Sequence, residues 1–364
     1  MMENRVYNFS AGPAVLPEEV LLEIKEDLLN YKGKGMSVME MSHRSKDYQA
    51  IFDETVAGIK RVLSIGDDFK VLFLGGGATT QFLMTALNFC TDDKVANYIL
   101  TGSWAMNAYK EAKKIGKKAH AAASSEDKNF SYIPKEFNLS ENPAFLHITT
   151  NNTIFGTQFK NYPDLPTHVP LFADMSSDIM SKPFDVRKFG LIYAGAQKNI
   201  GPAGVTLILL RNDLVEKIQP NLPTMLSYKT HIDKDSMHNT PPTFPIYIVG
   251  LVMKWIENKG GLSAIEKINE EKAAYIYDTI DNSNGYYKGT VEKDSRSLMN
   301  ATFRLPTEEL EAKFISEAAA NKMSGLKGHR SVGGCRASIY NALPMEATIK
   351  LAEFMKDFQS KNSV

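Results

Sequence analysis

Short, almost unbroken apolar runs alternate with helical patterns through the middle of the chain. The runs at Val71–Leu74, Lys94–Leu100, Ala144–Thr149, Val169–Ala173, Leu191–Ala194 and Val205–Leu210 read as strands. Most carry few polar positions, as strands covered on both faces do. Helical spacing falls between several of them, at Thr80–Asn88 and Ala105–Lys114. That alternation predicts an α/β domain built on a mostly parallel sheet. Pro241–Pro245 is proline-rich and reads as irregular. Two long helices follow, Ile246–Asn258 and Gly261–Ile280. From Tyr286 the pattern becomes strand, helix, strand, helix, with helices at Glu308–Lys322 and Met345–Ser360: a smaller α+β domain. The Gly260-Gly261 pair marks the boundary. The predicted division is therefore an N-terminal arm (1–16), a large domain (17–260) and a small C-terminal domain (261–364).

Composition narrows the function by exclusion. The 364 residues carry a formal net charge of zero, so nothing in the bulk directs the chain to nucleic acid or an anionic membrane, and any anion site must be local. Its two cysteines, Cys90 and Cys335, lie far apart and outside metal-ligand spacing; no metal site is expected, and a reducing cytoplasm fits. The first ten residues lack an apolar signal-peptide core. No apolar run approaches the roughly 18 residues of a membrane span.

The candidate chemistry gathers at strand ends. Gly75-Gly76-Gly77-Ala78-Thr79-Thr80 follows one strand and opens a helix. Glycines let backbone approach an anion, and a helix start presents free N–H groups. The same residues also read as a plain strand-to-helix turn. Asp174 ends the run Leu171-Phe172-Ala173. A carboxylate there needs a cation or serves as a helix cap. Lys198 lies just beyond Leu191–Ala194. A partly desolvated amine there can form a Schiff base; a solvated surface lysine is the alternative. Ligands of open α/β sheets sit at the carboxyl ends of the strands. Phosphate loop, carboxylate and lysine together match one cofactor, pyridoxal 5′-phosphate (PLP), with its phosphate, pyridinium nitrogen and aldehyde. Trp104, also past a strand, can stack on a flat ring or simply pack in the core.

These motifs, with several others, resemble the phosphoserine aminotransferase family, class V PLP enzymes of fold type I. The resemblance runs end to end. It is carried by Asn8-Phe9-Ser10-Ala11-Gly12-Pro13-Ala14, Ser42-His43-Arg44-Ser45, Ala173-Asp174-Met175-Ser176-Ser177 and Tyr193-Ala194-Gly195-Ala196-Gln197-Lys198-Asn199. Asn239-Thr240-Pro241-Pro242-Thr243 and Gly328-His329-Arg330-Ser331-Val332-Gly333-Gly334-Cys335-Arg336 complete it. It implies a large domain with a mostly parallel seven-stranded sheet, and transfer of an amino group from glutamate to 3-phosphohydroxypyruvate. That reaction belongs to serine biosynthesis, and a related one to pyridoxine biosynthesis.

The resemblance also implies roles. Lys198 would hold the cofactor aldehyde as a Schiff base and Asp174 would pair with the pyridinium nitrogen. Trp104 would stack on the ring, and Thr153 would bond the cofactor's phenolic oxygen. Ala78, Thr79 and Gln197 would hold the phosphate, joined by Asn239 and Thr240 from the other subunit of a homodimer. Arg336 would clamp the substrate α-carboxylate. Ser10, His43, Arg44, His329 and Arg330 would line the rest of the substrate site. There are two departures from the pattern: Ala78-Thr79 stands where some members carry an arginine, and His238 where an aromatic residue is usual. The nearest alternative is another fold type I PLP enzyme such as a cysteine desulfurase, which needs a reactive thiol. Cys335 is the only candidate, and its strand-like surroundings read as packing.

Overall fold

The computed structural model describes residues 5–362, so Met1–Asn4 of the expected arm and the last two residues of the expected small domain lie outside the described residues. The central sheet is built from β1 (Phe69–Leu74), β2 (Val95–Leu100), β3 (Ala119–Ser124), β4 (Pro143–Thr149), β5 (Leu171–Asp174), β6 (Phe189–Gly195) and β7 (Thr206–Arg211). Their order across the sheet is β1-β7-β6-β5-β4-β2-β3. Only β7 runs against the others. The reason is length: the short Ala196–Val205 connection cannot carry a parallel crossover, which needs a dozen or more residues. The expected mostly parallel, seven-stranded sheet is therefore present.

Helices α1 (Glu18–Asp27), α2 (Lys46–Leu63), α3 (Gly77–Phe89), α4 (Ser103–Lys114) and α5 (Thr243–Asn258) surround that sheet. Alternate strand residues face opposite layers. Ile192 and Ala194 join a core with α2 and α5, while Leu191 and Tyr193 join one with α3 and α4. Burial on both faces explains why these strands read as unbroken apolar runs.

The smaller unit contains α6 (Leu262–Asp281), β8 (Lys288–Gly289), β9 (Asn300–Arg304), α7 (Glu308–Ala320), β10 (Cys335–Ser338) and α8 (Met345–Lys361). Its three strands form an antiparallel sheet in that order. Helix α6 bridges the two units, with Ile265 in the large core and Ala273, Ile276 and Ile280 in the small one. The arm is anchored to the small unit. Tyr7-Asn8 pairs in parallel with Met323-Ser324, and Phe9 is fully buried there.

Three sequence expectations change. Strand β3 has no counterpart among the predicted runs: it is an edge strand of alanine, histidine and serine, half exposed, and so lacks an apolar signature. Strand β5 starts at Leu171 rather than Val169, because Pro170 has no N–H to give to the ladder. Helix α5 starts at Thr243, so Pro245 is helical rather than irregular. In the first turn a proline lacks only an N–H that has no partner anyway.

Candidate active site

A cavity of about 260 Å³ opens at the carboxyl ends of the central strands and is lined by Ala78, Thr79, Trp104, Thr153, Asp174, Gln197 and Lys198 among others. The sheet register builds its floor. Thr149 on β4 and Asp174 on β5, neighbours across the ladder, both line it, while Tyr193 on β6, paired with Asp174, packs into the core beneath. Lys198 follows on the turn that reverses the chain into β7.

Helix α3 points its N-terminus into this cavity. Gly76 and Gly77 both have positive φ, at 86° and 63°. No side chain caps the helix, so the first-turn N–H groups are free for an anion. Position 76 admits only glycine: a Cβ there would sit 2.1 Å from Thr80 Oγ1. Thr80 spends its hydroxyl on the Gly76 carbonyl, at 3.0 Å, and shapes the turn. Thr79 is the threonine that lines the cavity.

Asp174 is buried, and its Oδ1 accepts a hydrogen bond from Ser176 N at 2.9 Å. This is the cap-like bond that the sequence allowed, made in a turn rather than at a helix start. Burial raises its carboxyl above the usual range, while the Ser176 hydrogen bonds and the Lys198 charge pull the other way. A carboxylate so placed calls for a cationic partner.

Lys198 Nζ donates to Thr153 Oγ1 at 2.8 Å and lies 6.0 Å from the Trp104 ring centre. Burial pushes its ammonium down to about 8, opposed by Asp174 and helped by Arg336. The arm passes over its stem: a Cβ built on Gly12 would stand 3.6 Å from the lysine Cγ, and Ala14 N donates to the Gln197 carbonyl at 2.8 Å. Arg336, on β10 of the small unit, donates from Nη1 to the Thr153 carbonyl at 3.1 Å, and its buried Nε has no protein partner. Thr153 thus touches the lysine with its hydroxyl and the arginine with its backbone.

Two further buried polar atoms on the cavity wall have no protein partner, Trp104 Nε1 and Thr149 Oγ1. Buried polar atoms are normally satisfied, so these orphans mark where a polar ligand belongs. An uncapped helix N-terminus, a carboxylate wanting a cation and a lysine with a depressed pKa fit the phosphate, ring nitrogen and aldehyde of PLP.

Other residues singled out in the sequence lie elsewhere. Asn239 and Thr240 are exposed and do not line this cavity. His43 is buried with Nε2 unpartnered, Arg44 beside it is exposed, and neither lines the cavity. His329 and Arg330 lie on a loop over a second cavity of about 770 Å³, with Arg304, Lys327 and Glu311 beneath. Burial lowers the His329 pKa, and the Arg336 and Arg330 charges lower it further. Ser10, half-buried, packs against Gly325 and donates its N–H to Asn8 Oδ1 at 3.0 Å. Thr149 and Ser176 were given no role in the sequence; Thr149 ends an apolar run, the same signal that exposed Asp174, and Ser176 lies two residues past that acid in a motif already noted. Cys335 is buried in the small core, and burial pushes its thiol up to about 12, the opposite of what a nucleophilic thiol needs.

Fold and site together are those of a class-V aminotransferase, whose family model matches residues 6–349. Within that class the chain belongs to the phosphoserine aminotransferase family. It is 56% identical to a phosphoserine aminotransferase of Desulfosudis oleivorans over 362 residues, 99% of this chain and all of the relative. Identity to the Lysinibacillus sphaericus phosphoserine aminotransferase is 54% over 363 residues, again 99% of this chain and all of the relative. Among solved structures, phosphoserine aminotransferase from Bacillus circulans subsp. alkalophilus superposes with a TM-score of 0.97 at 52% identity, covering 99% of each chain. A PLP-bound phosphoserine aminotransferase from Trichomonas vaginalis superposes at 0.92 with 38% identity, covering 97% of this chain and all of the other.

Proposed function

We propose that the chain is a PLP-dependent phosphoserine aminotransferase that takes the amino group of L-glutamate and gives it to 3-phosphohydroxypyruvate. The products are 2-oxoglutarate and O-phospho-L-serine. The observation that carries this reading is Thr153, held by Lys198 on one side and by Arg336 on the other. An amine-handling group and a carboxylate-binding group are thereby set either side of one residue. That spacing suits the Cα of an amino acid.

Each residue then has a task. The α3 N-terminus with Ala78, Thr79 and Gln197 holds the cofactor phosphate. Asp174 keeps the proton on the ring nitrogen, and Trp104 forms a wall of the ring slot. PLP, when bound, supplies an aldehyde for the substrate amine and a ring that withdraws charge from Cα. Lys198 moves the proton at Cα. Its depressed pKa raises the share of it that is neutral, as a base must be. Arg336 grips the α-carboxylate shared by both substrates, with a planar guanidinium suited to two parallel hydrogen bonds.

The distal group differs between the substrates, a carboxylate in one and a phosphate in the other. His329 and Arg330, beside Arg336, supply positive charge for it, joined by His43 and Arg44. The lowered His329 pKa, set first by burial and then by the Arg336 and Arg330 charges, supports this: a phosphate dianion bound there would restore the imidazolium charge. The enzyme works as a homodimer in which Asn239 and Thr240 complete the partner's phosphate site. Their exposure supports this, as do the exposed apolar side chains of Leu29, Met36 and Met39. We place it in the cytosol, supported by two free, buried cysteines. Among the described residues no helix is long and apolar enough to cross a membrane.

The test is spectroscopic. The purified protein loaded with PLP is expected to be yellow, to bleach with glutamate and to recover its colour with 3-phosphohydroxypyruvate. Bleaching without recovery would discard the phosphorylated acceptor. No binding of PLP would discard the whole reading.

A further inference from the structure

Lys272, in the middle of α6, is fully buried and lies far along the chain from every residue given a role above. Its Nζ stands 2.6 Å from the Tyr340 carbonyl, 3.1 Å from that of Ile339, 3.2 Å from Leu343 and 3.4 Å from Asn341. All four oxygens belong to the turn between β10 and α8. Among the described residues no carboxylate shares the site, and burial pushes the ammonium down to about 7. The carbonyl ring works the other way. A neutral amine has two protons and would turn its lone pair toward the remaining oxygens, whereas an ammonium has three donors and a full charge for their dipoles. Carbonyl oxygens closing on one positive charge away from water form the kind of site that holds a potassium ion.

The turn so gathered reaches the active site from three directions. Ile339 directly follows β10, the strand that carries Arg336. Asn341 N donates to Asn199 Oδ1 at 3.0 Å, beside Lys198, and Asn341 Nδ2 donates to the Met180 carbonyl at 2.9 Å. The Tyr340 hydroxyl donates to the Ala11 carbonyl at 2.7 Å, in the arm segment that covers the Lys198 stem. Asn269, one turn before Lys272 on α6, donates to Asn341 Oδ1 and to the Ser181 carbonyl, tightening the same junction.

We infer that Lys272 is a positioning residue whose ammonium acts as a built-in monovalent cation, gathering the Ile339–Leu343 carbonyls so that Arg336 and the Lys198 segment stay in register. The cation cage stands on its own geometry; its effect on turnover rests on the roles proposed for Lys198 and Arg336.

Two holoenzyme variants test it. Lys272→Met keeps the length and loses the charge. Because a misplaced Arg336 weakens the grip on both α-carboxylates, it is expected to lose up to about 10²-fold in kcat/KM, carried by KM for glutamate and for the keto acid alike. Lys272→Ala leaves the cage without a cation. Its Tm and KM are expected to recover, saturably, in potassium or rubidium chloride but not in lithium or choline chloride at equal ionic strength, while the parent enzyme is indifferent. A methionine variant with unchanged Tm and KM overturns the inference. So does a folded alanine variant that responds to potassium no more than to choline. If the alanine variant folds in neither salt, the unaltered holoenzyme decides. A lysine 15Nζ ammonium signal protected from solvent exchange at pH 8 supports the caged charge, and its absence overturns it. Parent enzyme that fails to bleach with glutamate counts against the proposed activity, while the Tm comparison still decides the cage.

Discussion

Removing the Thr153 hydroxyl separates the two contacts that this residue makes. In Thr153→Val the backbone carbonyl that receives Arg336 remains, while the Oγ1 that accepts from Lys198 Nζ at 2.8 Å is lost. A hydrogen bond from a charged donor contributes about 1.5–3 kcal/mol. The Lys198 side chain faces an open cavity rather than a sealed core, so the lower end of that range applies. The bond favours the charged amine, and each pKa unit corresponds to about 1.4 kcal/mol. The Lys198 pKa should therefore fall by about one unit from its already lowered value of about 8. Only the neutral amine can attack the cofactor aldehyde. The rate at which the apo-protein takes up PLP, followed by the growth of visible absorbance, should rise with pH with a midpoint near that pKa. In the valine variant the midpoint should move down by about one unit, and uptake at pH 7 should be roughly fivefold faster. The KM for glutamate should change little, because Arg336 keeps its contact. A midpoint that stays in place, or moves up, would refute the argument that Thr153 sets the charge state of Lys198.

Other substitutions probe the remaining parts of the site. Lys198→Ala should abolish multiple turnover yet retain PLP by non-covalent binding, checked by gel filtration and the absorption spectrum; appreciable turnover would sink the assignment. Arg336→Ala should raise KM for both substrates by about 10–100-fold, the loss expected for one charged two-point contact. Arg44→Ala should instead weaken the phosphorylated acceptor most, and unchanged kinetics for that acceptor would remove Arg44 from the pocket. Gly76→Ala must hold an alanine at φ +86° with its Cβ on Thr80 Oγ1. The left-handed conformation alone costs about 1–2 kcal/mol, so PLP affinity and Tm should both fall in calorimetry and cofactor titration.

The three features that suggested the chemistry were legible one at a time because each lies at or just past the end of an apolar run. Asp174, Lys198 and the Gly75–Gly77 loop all sit where a buried strand meets the cavity, and that break from apolar to polar is visible in the chain. The mostly parallel sheet was legible for the same reason: strands covered on both faces must be apolar throughout. Strand β3 escaped because an edge strand of small residues needs no such run. Pro245 misled because a proline's cost depends on where in a helix it falls.

The sequence by itself determined the layered α/β architecture, the strand-end placement of the candidate cofactor residues and, through its motifs, the family. Those features rest on local patterning, where a side chain's character follows from the period of its own element. Only the tertiary structure decided which residues meet. That Thr153 joins Lys198 to Arg336, that the arm covers the lysine stem, that Thr80 serves the turn while Thr79 faces the cavity, and that four carbonyls close around Lys272 are contacts between segments distant in the chain or choices of side-chain direction. Spacing along the chain carries no record of such contacts, because they are set by how the elements pack against one another.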